Sequence, residues 1–181
     1  MNKPEIPFVE FPKISRYSRG VIVTEKIDGT NAQVYINDTM TEVFAGSRTQ
    51  WITPEQDNFG FARWVEANKE ELLKLGPGSH FGEWWGKGIQ RGYDQKEKKF
   101  SLFNVTRWRN ERPSCCDVVP VLWEGLFDEL DTEEIIRKLV ANGSYAAPGW
   151  KKPEGIVIFH TANGALFKKT IEKDDVPKGA R

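Results

Sequence analysis

Alternation of apolar and polar positions dominates this chain, and a helical period interrupts it twice. Gly20-Val21-Ile22-Val23-Thr24-Glu25-Lys26 is rich in β-branched residues and predicts a strand. Residues 31–36 and 41–46 predict two more, with Asn37-Asp38 supplying turn chemistry between them. Three short antiparallel strands are therefore expected in succession. Thr53-Pro54-Glu55 has the capping hydroxyl, early proline and first-turn acid of a helix start. Phe61, Trp64, Val65, Leu72 and Leu75 then recur at roughly helical spacing until Gly76-Pro77-Gly78, with Gly60 expected to weaken or kink the first turns. Residues 80–85 predict a strand ending at Gly86. Residues 86–99 are polar and glycine-containing and predict a mobile loop, followed by strands over 100–105 and 118–123. Asp131-Thr132-Glu133-Glu134 caps a second helix, whose apolar side is Ile135, Ile136, Leu139 and Val140 and which Gly143 ends. The clearest hairpin comes last: alternating residues 154–160 and 165–170 flank Asn163-Gly164. The pattern is α+β, with antiparallel sheets flanked by two helices. Residues 1–170 are expected to form one domain, and 171–181 a charged tail with no second domain.

Composition narrows the function classes. The 181 residues are enough for one domain with a real core. Twenty-six basic residues balance twenty-six acidic ones, which argues against a generic nucleic-acid coat but leaves a local basic groove open. No apolar run approaches the ~20 residues needed to cross a bilayer, and Met1-Asn2-Lys3-Pro4-Glu5 carries no apolar signal region. Cys115 and Cys116 are adjacent and rarely able to meet disulfide geometry, so a reduced, cytoplasmic setting is expected. His80 and His160 show no zinc-ligand spacing with them.

Candidate chemistry starts at Thr24-Glu25-Lys26-Ile27-Asp28-Gly29-Thr30-Asn31, where a lone lysine stands at a strand-to-turn junction. A lysine amine is a nucleophile only when neutral, and with an ordinary pKa near ~10.4 about one in a few thousand is neutral at pH 7. A buried pocket or a neighbouring positive charge raises that fraction. Asp-Gly is expected to give a tight turn through glycine's tolerance of positive φ. Alone, the segment reads equally well as a hairpin turn with a solvated lysine. Four further elements follow it in order: Ser47-Arg48 after the third strand, Phe81-Gly82-Glu83, Phe103-Asn104, and Glu154-Gly155 with Lys168 on the return strand.

In order and character these motifs resemble those of the covalent nucleotidyltransferases: RNA ligases, DNA ligases and mRNA-capping guanylyltransferases. The resemblance runs from about Val21 to Thr170. Its closest branch is the RNA ligases, because Asn31 stands five residues after the lysine, where DNA ligases and capping enzymes usually carry arginine.

The resemblance implies a nucleotide cleft between two sheets, ATP as AMP donor, Mg²⁺ or Mn²⁺, and nucleic acid ends as partners, RNA favoured over DNA. It makes Lys26 the nucleophile toward the α-phosphate. Glu83 would bind the ribose and Phe103 would stack on the adenine, or serve as a strand-end acid and plain core respectively. Glu154 would hold the divalent cation. Lys168 would contact the α-phosphate, and Arg48 a phosphate of ATP or of the nucleic acid end. Glu25 and Asn31 would also line the nucleotide site. Asp28 caps the turn in one reading and contacts the metal in another.

Some features depart from the family or stand outside it. The family often carries two lysines two apart on the last strand. Here Lys168 and Lys169 are adjacent, so alternation sends them to opposite faces, with Lys168 favoured for the pocket and Thr170 in the second lysine's place. About ten residues follow the hairpin where many ligases add a C-terminal domain. That suits a minimal ligase, a shortened chain, or an enzyme that borrows a partner domain or protein. Lys96, Lys98 and Lys99, with Arg107, Arg109 and Arg112 around Trp108, offer either a nucleic-acid path or a solvated basic face. Of Trp84 and Trp85, one is expected in the core and one at the rim. The rival readings are a minimal DNA ligase, a GTP-using capping enzyme, and a binder of nucleotide or RNA ends that has lost its chemistry.

Overall fold

The computed structural model describes residues 6–172 and 174. In chain order the strands are β1 (Gly20–Lys26), β2 (Thr30–Ile36), β3 (Val43–Gly46), β4 (Trp51–Ile52), β5 (Gly78–Gly86), β6 (Lys98–Leu102), β7 (Asp117–Val118), β8 (Val121–Leu126), β9 (Gly155–His160) and β10 (Ala165–Thr170). The helices are α1 (Phe61–Ala67), α2 (Lys69–Leu72), α3 (Val105–Trp108) and α4 (Thr132–Asn142). Four strands make one sheet in the order β10-β9-β1-β8, and six make a second in the order β4-β3-β2-β5-β6-β7. All pairings are antiparallel except β6 with β7.

Strand alternation builds three cores from these two sheets. Ala32, Val34 and Ile36 of β2 face α1 and α2, where Phe61, Trp84 and Phe100 interlock with ring centroids 5.2–5.3 Å from Phe61. Each such fully buried side chain contributes roughly 1.5–3 kcal/mol. Val21, Val23, Ile156 and Ile158 face α4 through Ile135 and Leu139. The opposite face of β1 sends Ile22 toward Trp85 of β5, and Tyr93, Val105 and Val119 complete a core between the sheets. The result is a helix–sheet–sheet–helix sandwich, the α+β class expected.

Several local expectations are corrected. The first three strands do not form one meander: β1 joins the four-stranded sheet, and β2 and β3 join the other. The chain changes sheets immediately after Lys26. Thr53 caps only a turn, accepting from Gln56 N–H, and the helix begins at Phe61, where Asp57 accepts from Ala62 N–H. Residues 86–99 pack rather than form an open loop, with Ile89 and Tyr93 buried and a 3₁₀ turn at Gly92–Asp94. The predicted strand at 118–123 is broken by Pro120 into β7 and β8 of different sheets. Trp84 and Trp85 are both buried, one on each side of β5. Trp108 is also buried, with Arg107 stacked 4.3 Å from its ring centroid. Arg107, Arg109 and Arg112 are exposed and also bond to Leu75, Glu124 and Cys116, tying loops together. The tail expected at 171–181 lies almost wholly outside the described residues.

Candidate active site

The change of sheet places Lys26 where the two sheets meet. Lys26 is the last residue of β1 and pairs in register with Gly155, which brings the preceding residue, Glu154, alongside. Lys26 Nζ donates to Glu154 Oε2 at 2.7 Å, and the two side chains are 19% and 7% exposed. From the other sheet, Glu83 lies opposite Asn31 in the β2–β5 ladder. Its carboxylate accepts from Gly29 N–H at 3.0 Å and from Asn31 Nδ2 at 3.1 Å. Gly29 is needed for closeness rather than for backbone sign, because it is absent from the positive-φ residues. A Cβ there would stand 2.5 Å from the Trp84 carbonyl oxygen and 2.7 Å from Trp85 Cβ. The glycine of Lys-x-Asp-Gly thus lets the lysine's turn press onto β5.

Burial pushes the Glu83 carboxyl up to about 7, with the positive charge of Lys26 the largest opposing influence. The folded state therefore holds a proton on Glu83 that the unfolded chain releases near 4.5. Native protein binds more protons than unfolded protein across that window, so this group's contribution to stability falls as pH rises from about 5 to about 8. The gap from 4.5 to about 7 corresponds to about 3 kcal/mol when fully expressed. Glu83→Gln is expected to remove that part of the slope. Denaturant unfolding of parent and variant at both ends of the window checks this, and equal slopes would contradict it.

Sequence reasoning missed a brace behind the lysine. Arg91 Nε donates to Asp28 Oδ2 at 2.9 Å, while its Nη1 donates to the carbonyls of Lys152 (3.0 Å) and Pro153 (3.4 Å). One guanidinium thus links the turn after Lys26 to the segment entering Glu154. Asp28 N–H also donates to the Tyr93 hydroxyl at 2.8 Å. Tyr93 has φ +53, a conformation costly for a bulky residue, and is held by Trp85 and Trp150 with ring centroids 5.3 and 5.7 Å away. Arg91→Ala is expected to lower stability by about 1–3 kcal/mol, since Asp28 and two carbonyls lose a shared charged hydrogen-bond donor. Arg91→Lys is expected to rescue little, because a point charge cannot bridge one carboxylate and two carbonyls. Denaturant unfolding of both variants measures this, and stabilities equal to the parent's would contradict it.

The other expected site residues divide. Register across β1, β9 and β10 aligns Thr24, Val157 and Lys168, so Lys168 shares the face of Lys26, and Thr170 aligns with Gly155 and Lys26. Lys169 aligns with Ile156 on the opposite face and pairs with Glu133 of α4. Glu25 also points away from Lys26. Its buried carboxylate accepts from Ser144 Oγ, Tyr145 N–H and Ala146 N–H, and burial raises its pKa against those bonds. Glu25 was expected at the nucleotide, and Lys169 only as the alternative to the favoured Lys168; alternation carries both to the helix side. Phe103 follows β6, donates its N–H to the Phe81 carbonyl and leaves its ring partly exposed. Arg48 is exposed in the β3–β4 turn. Asp28, expected in one reading at the metal, is engaged by Arg91.

Among the described residues, no group of three or more His, Cys, Asp and Glu side chains gathers as a metal cage. Glu154 still suits Mg²⁺ or Mn²⁺. Mg²⁺ typically uses one or two carboxylates with waters and substrate phosphates rather than an all-protein cage. No helix among the described residues is long and apolar enough to cross a membrane.

A family model described as RNA ligase matches residues 19–170, the span that holds every motif above. The chain belongs to the RNA ligase family. No curated protein matches it. Solved structures of a Naegleria gruberi RNA ligase share the fold. One variant with ATP and Mn is 22% identical, with a TM-score of 0.62, covering 84% of this chain and 50% of that one. A second variant with ATP and Mn is 23% identical, TM-score 0.62, covering 85% and 50%. A third, with AMP and Mn, is 21% identical, TM-score 0.61, covering 85% and 50%. The chain spans about half the length of these relatives.

Proposed function

We propose that this chain is an ATP-dependent RNA ligase that works through a covalent lysyl-AMP on Lys26. The observation that carries the reading is the placement of Lys26 Nζ at the sheet junction beside Glu154, in a member of the RNA ligase family. The neutral amine attacks the α-phosphorus of ATP. A nitrogen–phosphorus bond forms, the bond to the β-phosphate oxygen breaks, and pyrophosphate leaves. AMP then passes to a 5′-phosphate end, and a 3′-hydroxyl displaces it to seal the strand.

The chain's own groups divide this work. Glu83, fixed by Gly29 and Asn31, offers its carboxyl to the ribose hydroxyls. Lys168 approaches the α-phosphate from the face it shares with Lys26, and Phe103 gives the adenine a flat apolar surface. Glu154 bonds to the lysine and would hold the divalent cation, whose charge would offset that of the phosphates. Arg48 takes a phosphate farther out. The ATP and Mn of the Naegleria ligase structures support this choice of nucleotide and metal for a chain of the same fold. The half-length match leaves room for a partner domain or protein in the full reaction. The free thiols of Cys115 and Cys116 fit a reducing, cytoplasmic setting.

Sealing of nicked RNA, nicked DNA and single-stranded RNA ends, resolved on denaturing gels, tests the reading. RNA joining with ATP is expected. Joining of DNA alone, or GMP labelling in place of AMP, would move the chain to the DNA-ligase or capping readings. ATP affinity without any covalent adduct would favour a binder.

A further inference from the structure

The site face of the six-stranded sheet continues well past the site, and it is paved with aromatic rings. In the β2–β5 ladder the row Asn31–Glu83 belongs to the site. Two residues along each strand lies the next row on the same face, where Gln33 pairs with Phe81 on one side and Gly46 on the other, and Gly46 pairs with Trp51. Phe103 closes this row through its N–H bond to the Phe81 carbonyl. One row further, Tyr35 pairs with Phe44. Trp51 is 58% exposed and Phe81 55%, high values for rings in a sheet. Trp51 lies down over Gly46, where a Cβ would stand 3.3 Å from two indole carbons. Its ring contacts Tyr35 and Phe44 at 5.9 and 6.3 Å between centroids.

The chemistry of this face is selective. Beyond the site row its side chains are aromatic or uncharged polar, as with Gln33 bonded to Ser79, while the aliphatic Val34, Ile36, Ala45 and Ile52 all turn to the helix side. A protein partner would be met by aliphatic and aromatic surface together. Flat rings with amide and hydroxyl groups between them suit the faces and edges of nucleobases, and Arg48 in the adjoining turn suits the phosphates that connect them.

We propose that Trp51 and Phe81 form a stacking track for unpaired bases of the polynucleotide whose end enters the Lys26 site. The proposal rests on the ligase reading above and names where its substrate lies. Trp51 and Phe81 share one row, and the three inter-strand steps between β4 and β5, each about 4.7–4.9 Å, set their strand positions roughly 14–15 Å apart. A few nucleotides of an extended single strand cross that span.

The test is fluorescence anisotropy with a labelled 5′-phosphorylated single-stranded RNA, using the parent, Trp51→Ala, Phe81→Ala and Trp51→Phe. Each alanine variant is expected to weaken binding roughly 5- to 100-fold, the range for loss of one stacked base, and Trp51→Phe to recover most of it. RNA with abasic positions keeps its phosphates and is expected to bind the parent as poorly as it binds Trp51→Ala. AMP labelling by Trp51→Ala is expected to stay within about twofold, since β3, β2 and β5 lie between Trp51 and Phe103, the ring assigned to the adenine. Unchanged RNA affinity in both alanine variants overturns the proposal. So does a change in sedimentation that shows the rings covering a second copy while RNA binding is unaffected. Failure of the ligase reading would look different: the parent itself would take no AMP, whatever its RNA affinity.

Discussion

Replacing Lys26 with alanine is expected to abolish AMP labelling of the protein while leaving the joining of pre-adenylylated RNA in place. In the proposed reaction Lys26 acts as a nucleophile only in the first displacement, so the two halves separate. Once AMP is already on the 5′-phosphate, sealing would need the 3′-hydroxyl, a divalent cation that Glu154 would hold and the groups proposed to bind AMP, none of which the substitution deletes. Lys26 is the end residue of a strand rather than part of any hydrophobic core, so truncation costs little packing. It does leave Glu154 without its 2.7 Å partner. Thermal unfolding of the variant separates that structural cost from the chemical loss. Radiolabelled AMP transfer and gel-resolved joining measure the two activities. Loss of both in a well-folded variant would mean that Lys26 positions the site as well as attacking.

Glu154→Gln is expected to slow AMP labelling by about 100-fold or more, in line with the loss of a preorganised electrostatic group at a phosphoryl centre. The amide keeps the shape of the carboxyl but not its charge. It can still accept a hydrogen bond from Lys26, yet it is a poorer ligand for a hard cation. The two roles respond differently to metal. If the defect lies mainly in cation binding, raising Mn²⁺ restores much of the rate. If it lies in the orientation of Lys26, the rate stays low at every Mn²⁺ concentration. Arg91→Ala offers the comparison, since it loosens the same segment through Lys152 and Pro153 without touching the carboxylate.

Much of this site was legible in the sequence because its motifs sit at strand ends, where turn chemistry and alternation are strong local signals. The final hairpin and the cap of α4 by Asp131 follow from the same local rules. The sheet assignments were not legible. Nothing local to residues 20–36 says that β1 and β2 part company, and the reason is a tertiary one: Gly29 fits against Trp84 and Trp85, and Ile27 fills the space between the sheets. Arg91 and Tyr93 were hidden for the opposite reason. Their segment has the glycine and polar content of a loop, and only its contacts with Asp28 and Trp150 give it structure. Glu25 shows where adjacency misleads, since the strand neighbour of Lys26 faces the other side. The aromatic track was equally invisible, because Trp51 and Phe81 come from distant segments that only the register places in one row.

Intact-protein mass spectrometry after incubation with ATP and Mn²⁺ tests the central claim most directly. The account predicts a gain of one AMP on the parent, absent from Lys26→Ala, with the adduct mapped to Lys26 in digested protein. An AMP adduct that persists in Lys26→Ala, or a parent that binds ATP yet never gains AMP, would contradict it.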